Sequence, residues 1–202
     1  MTKGQNPRDT ALGLVGRINR ATGRREGGFI GLTSQQAGYV NRAKGELADP
    51  AKMGDYLQRS LRDKRYDRMV LKAMRDEKPL AQADIQAITG RYSDRLLKHR
   101  ADTIARTETL TALHTAQHEA MQQLIDSGGV RADQVTKEWS ATGDARVRDS
   151  HAAMDGQKVR FGELFTTPSG AHMRFPQDTA FGAPASEVIN CRCYMQVRVK
   201  YL

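Results

Sequence analysis

Cys191 and Cys193 are the only cysteines in a chain of 202 residues, and with His151 and His172 they form a thiol and imidazole set with the donor types that zinc prefers. The Cys-x-Cys spacing is tighter than the usual gap of two to four residues between zinc ligands. The fourth position stays open between His172 and an aspartate such as Asp149. A second chemistry uses the same residues: Cys191 or Cys193 as a nucleophile activated by His151. No third orienting group or oxyanion loop accompanies it. The plain alternative is that both thiols are core, because free cysteine packs as a small hydrophobe. The expectation is therefore no cofactor and no catalytic residue, with a structural zinc on His151, His172, Cys191 and Cys193 kept as the candidate site. His114 and His118 stand at i and i+4, a chelating spacing, but without a third ligand or the glutamate of the metalloprotease motif they read as polar-face residues.

The elements that must position these groups are legible from periodicity. From Cys191 to Tyr201 the odd positions read Cys, Cys, Met, Val, Val, Tyr and the even ones Arg, Tyr, Gln, Arg, Lys. This alternation predicts a strand over 191–201 with both thiols on its buried face. Their Cα atoms would stand roughly 6.5–7 Å apart with parallel side chains, too far between Cβ atoms for a relaxed disulfide. Val135, Lys137, Trp139 and Ala141 share one face of another strand. Asp144 is placed to cap a short helix ending at Gly156, with Val147, His151 and Met154 on one side. Val159 and Phe161 suggest a further strand, and 162–190 is rich in proline and glycine.

The first half reads as short helices. Asp9 would cap one carrying Leu12, Val15 and Ile18, ended by a loop over 21–28. Thr33 and Gln36 form a capping box, with Leu32 placed to staple onto Ala37. Asp49-Pro50 opens a helix with Met53, Tyr56, Leu57 and Leu61. Tyr66, Met69, Val70 and Met74 continue the pattern to about Glu77, where Pro79 interrupts it. Ile85 and Ile88 suggest one more short helix. A long helix follows over 93–127, roughly 50 Å at 1.5 Å per residue, with a bend expected at Thr107, Thr109 and Thr111 and a stop at Gly128-Gly129. The fold class is α+β: an N-terminal helical module, a long linking helix and a small C-terminal sheet-containing subdomain. The corresponding domains are a basic flexible arm with a short helix (1–30), a helical module (31–92), and a third domain (93–202) made of the long helix and an α+β subdomain (130–202).

The net charge of +9 is unevenly spread. Residues 1–100 hold 21 Lys and Arg against 11 Asp and Glu, a balance of +10, and residues 101–202 hold 11 against 12, a balance of −1. Such a field attracts polyanions, so double-stranded DNA is an expected partner of residues 1–100, bound through phosphates rather than sequence. A solvated basic surface, or one that docks on an acidic protein, reads the same charges equally well. No apolar leader, no apolar run of membrane-spanning length and no disulfide framework are present, so neither secretion nor a membrane partner is expected.

Four ordered stretches together resemble the phage Mu F-like family of minor head proteins, also called the phage head morphogenesis family. They are Ile104-Ala105-Arg106-Thr107-Glu108-Thr109, the run from Trp139 to His151 that contains Gly143-Asp144-Ala145-Arg146, then Asp155-Gly156, and Asn190-Cys191-Arg192-Cys193. The resemblance covers about 95–202, extended weakly by Phe29 to Thr33. It implies a low-copy virion protein inside the head near the portal, present in the host cytoplasm during assembly. Its partners would be the portal or major capsid protein and packaged DNA. Family members are often longer at the N-terminus, so a portal-docking segment is expected to be missing. The same domain type is also found joined to toxin modules in phage-encoded effectors, and no such module is expected here, with no residues after Leu202 to carry one. The signature residues Arg106, Glu108, Trp139, Asp144, Arg146, His151, Gly156, Asn190, Cys191 and Cys193 are read as structural. Arg106 would pair with Asp102, Glu108 would reach the C-terminal subdomain, and Asp144, Arg146, Arg148 and Asp149 would form a salt-bridged frame. Competing readings are a zinc- or thiol-dependent enzyme or effector, and a sequence-independent DNA-binding protein.

Overall fold

Asn6 opens the first helix. Its side chain accepts the Asp9 amide at 2.9 Å, and Pro7 at the first helical position has no amide to satisfy, so α1 runs Pro7–Val15. Asp9, expected as the cap, lies instead in the first turn. The structure is a computed structural model that describes residues 6–21 and 25–200, folded as two compact units, Met1–Asp102 and Thr103–Leu202. After α1, Gly16 takes φ +79°, and β1 (Gly16–Ile18) pairs antiparallel with β2 (Arg25–Gly27). The loop expected over 21–28 is thus a strand at 25–27, while residues 22–24 lie outside the described ones. Ile18 has left the helix, which is why it is exposed rather than part of an apolar stripe.

The predicted capping box begins α2 (Ser34–Ala48), with the Gln36 amide donating to Thr33 Oγ1 at 3.2 Å and the Thr33 amide to Gln36 Oε1 at 3.1 Å. Asp49 accepts from the Ala51 amide, a 3₁₀ turn follows, and α3 spans Met53–Leu57. In α4 (Asp67–Arg75) Val70 is the fully buried residue; Met69 and Met74, expected on the same stripe, are exposed. Ala43, Leu47, Met53, Tyr56, Val70, Ile85, Ile88, Tyr92 and Leu96 close the first unit's core. Charged side chains rim it: Arg59 donates to both carboxylate oxygens of Glu46 (2.8 and 2.6 Å) and to Tyr92 Oη. The Arg65 guanidinium beside buried Asp63 holds that carboxyl down at about 2.

Tyr56 is fully buried, its hydroxyl finds no partner among the described residues, and burial pushes its phenol up to about 12. A buried hydroxyl without a partner costs about 1–3 kcal/mol. Tyr56→Phe is therefore expected to match or exceed the parent's stability in urea titration, by up to about 1 kcal/mol. A loss of that size would show that the hydroxyl is satisfied, for instance by a buried water.

The short helix expected at Ile85 and the long helix expected from Ser93 are one element, α5, running Gln82–Asp126 over 45 residues. At 1.5 Å per residue this is roughly 65–70 Å rather than 50 Å. Between Pro79 and the end of α5 the chain has no proline, and Gly90 alone, costing about 1 kcal/mol, does not break the helix. The helical hydrogen bonding also runs through the threonine cluster where a bend was expected. Thr107 and Thr111 return their hydroxyls to the carbonyls of Thr103 and Thr107 at 2.9 and 2.8 Å. The two compact units divide within α5, between Asp102 and Thr103. At its end the Gly129 amide bonds back to Leu124 O, with Gly128 at φ +75°.

In the second unit β3 (Val135–Ser140) is the central strand, antiparallel to β4 (Lys158–Arg160) on one side and β7 (Tyr194–Val199) on the other. Val135, Lys137 and Trp139 are buried on the predicted face. Between β3 and β4 lies α6 (Asp149–Ala152). It starts four residues later than expected, with Arg148 rather than Asp144 at the cap position, because Asp144 spends its carboxylate on the Arg146 amide in a tight turn. Gly156, at φ +76°, turns the chain back into β4. The loop-rich stretch contains a small hairpin, β5 (Phe165–Thr166) with β6 (His172–Met173), and a single-turn helix, α7 (Ala185–Val188). The closing strand begins at Tyr194 rather than Cys191, since its partner β3 ends opposite, at Ser140. Tyr201 lies outside the described residues. Cys191, Cys193 and Met195 are nonetheless buried, in a core with Trp139, Met154, Phe165, Met173 and Phe175. Among the described residues no helix is long and apolar enough to cross a membrane.

Candidate functional site

The turn that carries the two thiols is held from several sides. Asn190 sits at φ +58°, a left-handed conformation that asparagine tolerates better than most residues. On α5, Thr107 Oγ1 accepts the Asn190 amide at 2.9 Å and Arg106 donates to Asn190 Oδ1 at 2.5 Å. Arg148 donates to the Ile189 carbonyl. Buried Gln177 donates through Nε2 to the Cys191 carbonyl at 3.0 Å, and its Oε1 lies 2.7 Å from His114 Nδ1. That nitrogen is also 3.1 Å from Pro176 O, so with two acceptors before it Nδ1 carries the proton. Arg192 makes a bidentate pair with Asp144 (2.6 and 2.5 Å), which holds the Asp144 carboxyl down at about 2.

Into this frame α6 brings His151. Its Nδ1 lies 3.3 Å from Cys191 Sγ and 3.5 Å from Cys193 Sγ. The three residues are all buried, and both thiols are free. Its Nε2 lies 2.9 Å from Glu187 Oε2, close enough for ion pairing but without the alignment of a hydrogen bond. Glu187 in turn accepts from Ser150 Oγ at 2.9 Å and Ser169 Oγ at 2.8 Å. Burial pushes the Glu187 carboxyl up, but the two hydroxyls and His151 outweigh it and hold it ionised. A hydrogen bond from the Cys193 thiol, opposed by burial and assisted by His151, pulls Cys191 well below the usual thiol range; the same bond pushes Cys193 up. The Cys193 amide also points at Cys191 Sγ, 3.4 Å away. Trp139 walls the site, its ring edge-on to His151 with centroids 5.1 Å apart.

His172 does not join this group. It alternates with buried Met173 on β6, so its ring faces outward and meets Thr166 Oγ1 at 3.0 Å. Asp149 is likewise exposed on α6. His114 and His118 are buried rather than on a polar face: His118 stacks on Phe161 with centroids 4.7 Å apart, and burial followed by the charge of Lys137 pushes it down. Arg106 pairs with Asn190, while Asp102 is taken by Lys98. Glu108 and Arg146 are exposed, and neither forms an ion pair among the described residues. Of the expected charge frame, the Asp144 end closes, through Arg192. Glu187 and Gln177 escaped the sequence reading because α7 is one turn long and Gln177 follows Pro176 in irregular chain; neither stretch has a period to read.

The cavity lined by His151, Cys191 and Cys193 measures about 10 Å³, space for about one water. A substrate does not fit it. The arrangement suits either a bound metal ion or a sealed polar cluster in the core.

A family model described as Phage Mu protein F like protein matches residues 56–196. That span begins in α3, earlier than the resemblance around 95, and ends in β7, so it takes in every residue of the thiol and imidazole cluster. No curated protein matches the chain, and no solved structure does.

Proposed function

We propose a role in head assembly from one premise: the chain belongs to the phage Mu protein F-like family. It is on that ground a phage head-related protein of the virion, in a family of structural proteins. The finer reading is a minor head protein that acts in head morphogenesis beside the portal, with the portal or major capsid protein as its partner and no catalytic role. The observation that supports it is the family match over 56–196. The signature residues agree with it, because Arg106, Asp144 and Asn190 brace the turn that carries the two buried thiols instead of lining an open pocket.

The basic balance of residues 1–100, +10 by the counts of 21 and 11, favours contact with packaged DNA as part of the same role. The protein should then bind random duplex with an affinity that falls steeply with salt.

Co-production of the full chain with the portal and capsid proteins of its phage tests the assembly role. Purified heads are expected to contain the chain at low copy, and heads assembled without portal to lack it. Heads that form normally and never contain the chain would overturn the reading.

A further inference from the structure

The three buried donor atoms of the second unit are spaced like one face of a tetrahedral metal site. With Zn–N near 2.0–2.1 Å and Zn–S near 2.3 Å, a tetrahedral zinc sets its nitrogen and sulfur ligands about 3.5 Å apart. His151 Nδ1 lies 3.3 Å from Cys191 Sγ and 3.5 Å from Cys193 Sγ. All three ligand atoms fall within 4.8 Å of one another. We propose that His151 Nδ1, Cys191 Sγ and Cys193 Sγ bind one zinc ion, with Glu187 orienting the imidazole from behind and a water in the fourth position.

Each rival accounts for fewer of the contacts. A packed thiol pair needs no imidazole, yet here one ring nitrogen stands 3.3 and 3.5 Å from two sulfurs. A cysteine nucleophile needs one sulfur open to substrate; both are at most 2% exposed, beside a cavity of about 10 Å³. Glu187 places a carboxylate 2.9 Å from the far ring nitrogen, as in the carboxylate, imidazole and metal arrangement in which an acidic group stands behind the ligating histidine. The donor set is wrong for calcium or magnesium, which take oxygen ligands. Binding displaces the thiol protons, and two thiolates then balance the ion's charge. The resulting neutral site can sit beside Arg148 and Arg192, where an uncompensated dication could not. The small cavity adjoining the three ligands has room for the water. The ion would tie α6 to the turn entering β7, adding a cross-link to a unit whose sheet has three strands.

The test uses the full chain produced in zinc-supplemented medium. Elemental analysis after desalting is expected to give one zinc per chain, released when a mercurial blocks the thiols. Cobalt added to the metal-free protein should produce the sulfur-to-cobalt charge-transfer band. Cys191→Ser and Cys193→Ser should each abolish that band, His172→Gln should retain it, and Glu187→Gln should weaken metal affinity about 10- to 100-fold. Wild-type protein with negligible zinc and no cobalt–sulfur band would overturn the site without reference to any variant, and without touching the assembly role. Metal that survives both cysteine substitutions would overturn it as well, by placing the ion elsewhere.

Discussion

Raising the pH from about 8 to about 10.5 is expected to stabilise the second compact unit by about 3 kcal/mol, and Lys137→Met to abolish the rise. Lys137 lies in the central strand with no exposed surface. Its ammonium donates to the carbonyls of Glu163 at 2.7 Å and Arg174 at 3.0 Å and sits over the rings of Phe161 and Phe165, 5.6 and 5.4 Å from their centroids. No carboxylate pairs with it among the described residues. Burial, and after it the charge of Arg174, pushes it from 10.5 down to about 8. The folded chain therefore gives up this proton near pH 8, while the unfolded chain keeps it until about 10.5. Between those values the unfolded state binds more protons, so stability rises with pH; below 8 the burial of the charge is felt in full. At 1.36 kcal/mol per pH unit the gap comes to about 3 kcal/mol. Urea midpoints followed by fluorescence of Trp139, the chain's one tryptophan, report on the same strand. The diagnostic quantity is the difference between wild type and Lys137→Met, because tyrosines and other lysines titrate in the same range and cancel. A difference that stays flat from pH 7 to 10.5 would show the amine to be hydrated or neutral throughout.

Lys137 also marks where pattern stops carrying information. Alternation places it on the inner face with Val135 and Trp139, and it is there, but periodicity cannot say what a buried amine bonds to. Its acceptors are backbone carbonyls 26 and 37 residues away. Elements with local causes were legible. The Thr33 and Gln36 box, the Asp49-Pro50 start and the Gly128-Gly129 stop all depend on atoms within five residues of one another, and the structure has all three. Boundaries decided by partners were not. The last strand could be read only as far back as its own alternation, to Cys191, whereas its first residue is set by where β3 ends. Asp144 had the composition of a helix cap, but Arg192, 48 residues on, competes for the same carboxylate.

The candidate site follows the same division. Two thiols on one side and a histidine on a short helix were readable from types and spacing. The fourth group was not. His172 has the right chemistry and the wrong strand parity, and Glu187, which meets His151, lies on a single helical turn with no repeat to betray its direction. The family resemblance picked out Arg106 and Asn190 without saying why; the distances supply the reason, a clamp on a left-handed residue immediately before Cys191.

Trp139→Ala should cost about 3–5 kcal/mol, the usual range for deleting a large buried aromatic from a core. The site gives little room for relaxation. β3 is paired on both sides, and the indole is fully buried between His151 and Phe165, edge-on to each with centroids 5.1 and 5.4 Å away. Trp139→Phe should cost less, about 1–2 kcal/mol, because it keeps most of the ring contact. It also removes an indole N–H that is buried without a hydrogen-bond partner among the described residues, which offsets part of the lost volume. Hydrogen exchange reads both variants, since neither retains tryptophan fluorescence. The loss should appear in β3, β4 and β7 together, while α2 and α3 keep their protection, because they belong to a core that Trp139 does not touch. Alanine also removes the wall behind His151, so Cys191 and Cys193 should react with thiol reagents faster than in wild type. A cost below about 1 kcal/mol for alanine, or thiols that stay equally protected, would mean that the site is held by its hydrogen bonds and ion pairs rather than by packing against the tryptophan.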